Sequence, residues 1–267
     1  LTGTNPITAT GNTSFQDVDT TVLQYIGINV NRAPFDNAAL RKALNLALDK
    51  DIIAGKVLGQ GQRPAWLISQ PDIGGVKLQN PDYASWPMDK RIAEAKKLLA
   101  EAGFNDSHPL SFNLLYNTSE SHQRIAIAAS SMWKKNLGVE AKLQNQEWKT
   151  MLDTMHTHNF DAVRYAWIAD YDDAATFLNN FRTGDSQNTT QYSNPDYDRA
   201  LVNAAKSKTA EERGKFYQQA EDLLGRDVPA IPVYHYVRTH LVKPWVGGFT
   251  PDKLGYYYTK DMYIKKH

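Results

Sequence analysis

Apolar residues along the chain recur with two different periods, and stretches of the two kinds alternate. TVLQYIGINV (residues 21–30) is dense in β-branched and aromatic residues and reads as a buried strand. Leu40, Ala43, Leu44 and Ala47 then fall on one face of a helix that Asp36 or Asn37 can cap. Ile92, Ala95, Leu99 and Ala102 form a second such stripe, with Gly103 placed for a left-handed C-terminal cap. LSFNLLYN (110–117) predicts a strand, and residues 120–137 predict a helix ending at Gly138. Val139, Ala141 and Leu143 alternate as in a half-buried strand. Trp148, Met151, Leu152 and Met155 mark a short helix, and FDAVRYAWIAD (160–170) is the most strand-like run. A short helix near 174–181 and two longer ones follow, the last opened by Thr209 with Glu212 three residues on, a capping box. AIPVYHYV (230–237) closes the series as a strand. Strands alternating with helices predict an α/β fold whose central sheet is covered on both faces.

Between these elements lie segments without a sustained period. Residues 1–20, rich in Thr, Gly and Asn, read as loop or tail. Residues 59–87 hold four prolines and four glycines and predict a long ordered surface loop. A polar loop carries GDSQNTTQYSNP (184–195), and the chain from Lys243 onward reads as loop with extended pieces.

Composition narrows the function without naming it. With 42% hydrophobic and 22% charged residues, the 267-residue chain has the balance of a globular protein. Thirty Lys and Arg against 29 acidic residues create no net field for nucleic acid or an anionic membrane. The absence of cysteine excludes thiol catalysis, thiolate metal sites and disulfides. No apolar stretch approaches the ~20 residues of a membrane span. The opening at Leu1, with neither initiator Met nor signal peptide, suggests a mature or truncated product.

The candidate chemistry is sparse. GQGQRP at Gly59 lacks the helix start and the Lys-Ser or Lys-Thr of a phosphate loop, so it reads as a turn. His156 and His158 lack metal-ligand spacing and read as a solvated helix end, and no metal or other cofactor is expected. Asp170, Asp172 and Asp173 allow a carboxylate pair for hydrolysis, a calcium site, receipt of a ligand ammonium, or helix capping by Asp172 or Asp173. The period of two places Arg164, Ala166, Ile168 and Asp170 on one face of their strand and Tyr165, Trp167 and Ala169 on the other. Arg164 and Asp170 are thus about 20 Å apart at ~3.3 Å per residue, comparable with the charge separation of a zwitterionic peptide. Charged residues on a strand face ordinarily meet water, which is the competing reading.

The runs LLYNTSESHQRIAIAASSMWKKNLGVEAKLQNQEWKTMLDT and FDAVRYAWIADYDDAATFLNN, with LRKALNLALDKDII, HLVKPWVGGFT and DMYIKKH, resemble the oligopeptide-binding and murein-tripeptide-binding members of the family 5 extracellular solute-binding proteins. The resemblance runs from about Thr21 to His267, the C-terminal half of such a protein, and leaves residues 1–20 as an unmatched tail. It implies a type II periplasmic binding-protein lobe with a central mixed sheet flanked by helices. Residues 21–32 would be a hinge-crossing strand, 33–235 the peptide-binding lobe, and 236–267 a return segment towards an N-terminal lobe. It further implies a monomer in the periplasm of a Gram-negative bacterium, without enzymatic activity, that passes a small peptide to an inner-membrane ABC permease. Asp170, in WIADY, matches the family's ammonium-binding aspartate. Ala166 and Ile168 match strand positions that hydrogen-bond the peptide main chain, Trp148 and Trp167 match pocket tryptophans, Arg164 and His122 positions near the peptide carboxylate, and Tyr236 a ligand-contacting tyrosine. Met155 and Leu58 stand where relatives commonly carry Arg and can carry Lys, which opens a murein peptide or another narrow ligand as the alternative. A carboxylate-dependent hydrolase is the competing reading of a different class.

Overall fold

A computed structural model describes residues 14–266. Strand β1 (Ser14–Ile28) leads into helix α1 (Ala38–Leu46), and a short α2 (Lys50–Ile52) runs on as a π-helical turn to Leu58. The long loop carries only the two-residue strand β2 (Arg63–Pro64) and single 3-10 turns. Then follow α3 (Met88–Glu101), β3 (Ser111–Asn117), α4 (Glu120–Leu137), β4 (Glu140–Gln146), α5 (Trp148–His156) and β5 (Ala162–Ile168). The short α6 (Ala175–Leu178), α7 (Pro195–Lys206), α8 (Ala210–Asp227), β6 (Ala230–Val242), β7 (Val246–Gly247) and β8 (Tyr263–Ile264) complete the order. Six strands form one mixed sheet in the order β2-β6-β1-β5-β3-β4, antiparallel from β2 to β5 and parallel from β5 to β4.

The alternation of side chains across β1 sorts the core. Ile26 and Ile28 pack with Leu40 and Leu44 of α1, Ala95 of α3 and Trp133 of α4, while Leu23 and Tyr25 pack with Phe177, Tyr197, Tyr217 and Leu224 from α6 to α8. Both faces of the sheet are thereby covered by helices, as the pattern predicts. The Trp133 indole, fully buried, donates to Leu44 O at 2.8 Å, and Asn136 donates to Ala47 O, so α4 is tied to the open carbonyls at the end of α1.

Three expectations need correction. Residues 14–20, read as loop, are strand, because Ser14–Asp19 pair with Val237–Val242 of β6; residues 1–13 lie outside the described residues. Beside the edge strand β4, Val139 and Ala141 are buried but Leu143 is exposed, so the alternation there does not hold to its end. At α8, Thr209 Oγ1 accepts from Glu212 N as a capping box requires, but the Glu212 carboxylate accepts from Lys208 N, one residue before the cap.

The long loop is ordered by contacts made far from it in sequence. Glu221 of α8, buried, accepts from the amides of Ile68 and Ser69 and from the Ser69 hydroxyl, and Gln70 donates to Thr20 O. Gly74 has φ +61° and sits so close to Asp172 that a Cβ would lie 2.9 Å from its carbonyl oxygen, so only glycine fits.

Candidate functional site

Strand β5 is paired along its whole length on one side and barely on the other. Its partner β1 runs from Val22 opposite Ile168 to Ile28 opposite Ala162, whereas β3 reaches only Ala162 and Val163. Asn29 N donates to Asp161 O and Ala169 N to Thr21 O, so odd-numbered residues of the strand turn their main-chain groups towards β1. By alternation, Arg164, Ala166 and Ile168 turn theirs to the edge that β3 leaves open. A cavity of about 530 Å³ lies along this edge.

All eight residues singled out from the sequence line that cavity: His122, Trp148, Arg164, Ala166, Trp167, Ile168, Asp170 and Tyr236. They come from α4, α5, β5, the turn after it and β6. On one side, Trp148 is half exposed and stacks on Tyr165 with ring centroids 5.9 Å apart. Tyr165 and Trp167 rest in turn on the core cluster of Leu23 and Tyr25, as the period of two predicts. The Trp167 Nε1–H is buried without an acceptor among the described residues.

Arg164 lies on the other side, and it is not solvated. Only 2% exposed, its guanidinium donates to Asn117 Oδ1 at 3.2 Å, to Tyr236 Oη at 3.0 Å and to Gln24 Oε1. Every one of these partners is neutral, and among the described residues no carboxylate is paired with this charge. Burial lowers Arg164 from the usual guanidinium value, and the tyrosine oxygen of Tyr236 opposes the shift. His122 Nδ1 lies 2.8 Å from the same Asn117 Oδ1. That oxygen is an acceptor, so Nδ1 carries the proton and Nε2 keeps a free lone pair. Burial and then the Arg164 charge push His122 down to about 4.

The three aspartates beyond β5 separate by their partners. Asp173 accepts from Ala175 N and from the Tyr217 hydroxyl and faces Arg213 at 3.2 Å, while Asp172 accepts from Gly74 N. Asp173, just before the N-cap Ala174, therefore ties the first amide of α6, and Asp172 holds the long loop. Asp170 is exposed; its amide donates to Thr176 Oγ1, which fixes the turn, and its carboxylate has no partner among the described residues.

Met155 and Leu58 are not in the cavity. Met155 packs with Leu115, Met151, Phe160 and Val163 beneath α5, and Leu58 belongs to the core beside α1. Sequence reasoning also missed cavity residues: Thr20, Val22, Val237 and Arg238 line it, and Gln24 and Asn117 orient Arg164. A lone glutamine inside the apolar run TVLQYIGINV was the available signal for Gln24. A larger polar cavity of about 700 Å³ lies between the histidines and the loop at 183–193. There His158, half buried at φ +55°, approaches Thr189 O while His156 is exposed, so only part of that pair is a solvated helix end.

Among the described residues no helix is long and apolar enough to cross a membrane. Residues 2–189 match the model of the bacterial extracellular solute-binding proteins, family 5. The chain is 48% identical over 244 residues to the periplasmic oligopeptide-binding protein OppA of Salmonella typhimurium, covering 91% of this chain and 45% of that protein. It is 40% identical over 246 residues to the periplasmic murein peptide-binding protein MppA of Escherichia coli, with 91% and 45% covered. The crystal structure of Haemophilus influenzae OppA in complex with the peptide RPPGFSPFR superposes with a TM-score of 0.85 at 43% identity, over 94% of this chain and 50% of that one. The chain thus spans about half the length of the curated relatives it matches. By family match and by fold, the chain belongs to the bacterial extracellular solute-binding proteins of family 5.

Proposed function

We propose that the chain supplies the peptide-binding half of a periplasmic receptor that captures oligopeptides in a Gram-negative bacterium and passes them to an inner-membrane ABC permease. The observation that carries this reading is the open edge of β5. An extended peptide laid there receives main-chain hydrogen bonds from Ala166 and Ile168 whatever its side chains, a β-augmentation mode. Its ammonium meets the unpartnered Asp170 carboxylate, and its carboxylate approaches the buried Arg164 charge with His122 and Tyr236 beside it. Trp148 and Trp167 form the apolar wall. The relatives are named as binding proteins, and Asp172 and Asp173 already hold partners of their own, so among the described residues no free carboxylate pair stands at Asp170 for hydrolysis. The protein acts without covalent chemistry and without a cofactor.

Titration with Ala-Ala-Ala and its N-acetylated form, followed by NMR, tests the assignment. Acetylation is expected to weaken binding to the wild-type protein by about tenfold or more, because it leaves Asp170 without its counter-charge. Asp170→Asn should erase that difference. Equal affinity of the wild-type protein for both peptides refutes the ammonium site.

A further inference from the structure

Among the described residues, the cavity lining carries more positive charge than a simple peptide matches. Its described lining residues include one carboxylate, Asp170, and two guanidinium groups, Arg164 and Arg238. His122, held down at about 4, adds no charge at neutral pH. A peptide with uncharged side chains brings one ammonium and one carboxylate, and one cation is left over. The surplus group is Arg238. It is exposed; among the described residues its polar contact is a 3.3 Å hydrogen bond to Gly255 O, and no carboxylate pairs with it. Gly255, at φ +83°, lets the guanidinium lie directly against its Cα, so the side chain is held in place without being neutralised.

The strand registers say which end of the cavity this cation serves. Along β1, Ile26 stands opposite Arg164, Val22 opposite Ile168 and Val18 opposite Arg238. Arg238 is therefore towards the Asp170 end of the strands, two residues beyond Tyr236 on β6. Thr20 and Val22, both small, line the cavity between Arg164 and Arg238.

We propose that Arg238 makes this cavity selective for acidic peptides, those with an Asp or Glu side chain in the first two residues. The proposal rests on the cavity being the peptide site with the ammonium at Asp170. Glu-Ala-Ala, Gln-Ala-Ala and Ala-Ala-Glu titrated into the full chain by NMR at low ionic strength provide the test. Glu-Ala-Ala should bind about two- to fivefold tighter than Gln-Ala-Ala, the size of one exposed charge pair. Arg238→Gln should bring that ratio to about one, and Arg238→Lys should keep part of it. A ratio near one in the wild-type protein, a ratio that survives in Arg238→Gln, or an equal gain for Ala-Ala-Glu overturns the proposal while leaving peptide capture intact. Failure of all three peptides to bind at millimolar concentration overturns peptide capture and this selectivity together.

Discussion

Arg164 shows how a single residue can be arranged against its own stability. A buried cation whose partners among the described residues are all neutral bears its desolvation cost without a counter-charge from them. Arg164→Met keeps much of the volume and removes that charge, so unfolding by urea should change by less than about 1 kcal/mol, or the variant should gain stability. Discrimination between Ala-Ala-Ala and its C-terminal amide should vanish in the same variant. A loss of several kcal/mol would show that the guanidinium is chiefly a structural tie. His122 and His235 carry a pH signature of the opposite origin. Burial lowers both to about 4, so they contribute stability that is present above pH 6.5 and is lost as the pH falls towards 4.

At the scale of elements, helix α8 holds the long loop through one carboxylate. Burial raises Glu221 to about 7, although its hydrogen bonds from Ser69 and Ile68 pull the other way. The neutral acid is the form the fold favours. Its contribution is complete below about pH 4.5 and declines as the pH rises to about 7, by roughly 3 kcal/mol over that range. Glu221→Gln has no such titration. The stability difference between wild type and Glu221→Gln should therefore shrink from pH 5 to pH 8 in urea unfolding, and this comparison cancels the histidines. A difference constant with pH would contradict the burial assigned to Glu221. The open edge of β5 is legible at this scale only in part. Periodicity identified the strand and the faces of Arg164 and Trp167, but not that β3 stops pairing at Val163. Register is set by contacts between distant segments, and no local pattern records it.

At the scale of the whole molecule, the cavity is walled on one side by the sheet edge and helices α4 and α5, and the relatives are about twice as long. The chain alone should hold a tripeptide weakly, with Kd above about 0.1 mM, since water is excluded from one side of the ligand only. Joining it to the N-terminal half of an oligopeptide-binding relative should tighten binding by orders of magnitude; affinity in the low micromolar range for the chain alone would refute this. What the sequence determined by itself is the alternation of elements, their caps at Asn37, Thr209 and Gly138, and the cavity residues carried by matched motifs. These depend on neighbours within a few residues, so the local string contains them. Tertiary structure alone decided that residues 14–20 are strand, that Arg164 is buried beside neutral partners, that the Asp170 carboxylate, unlike those of Asp172 and Asp173, has no partner among the described residues, and that Arg238 joins the cavity. Each of these depends on a partner brought from far along the chain, and burial and charge compensation exist only once that partner is in place.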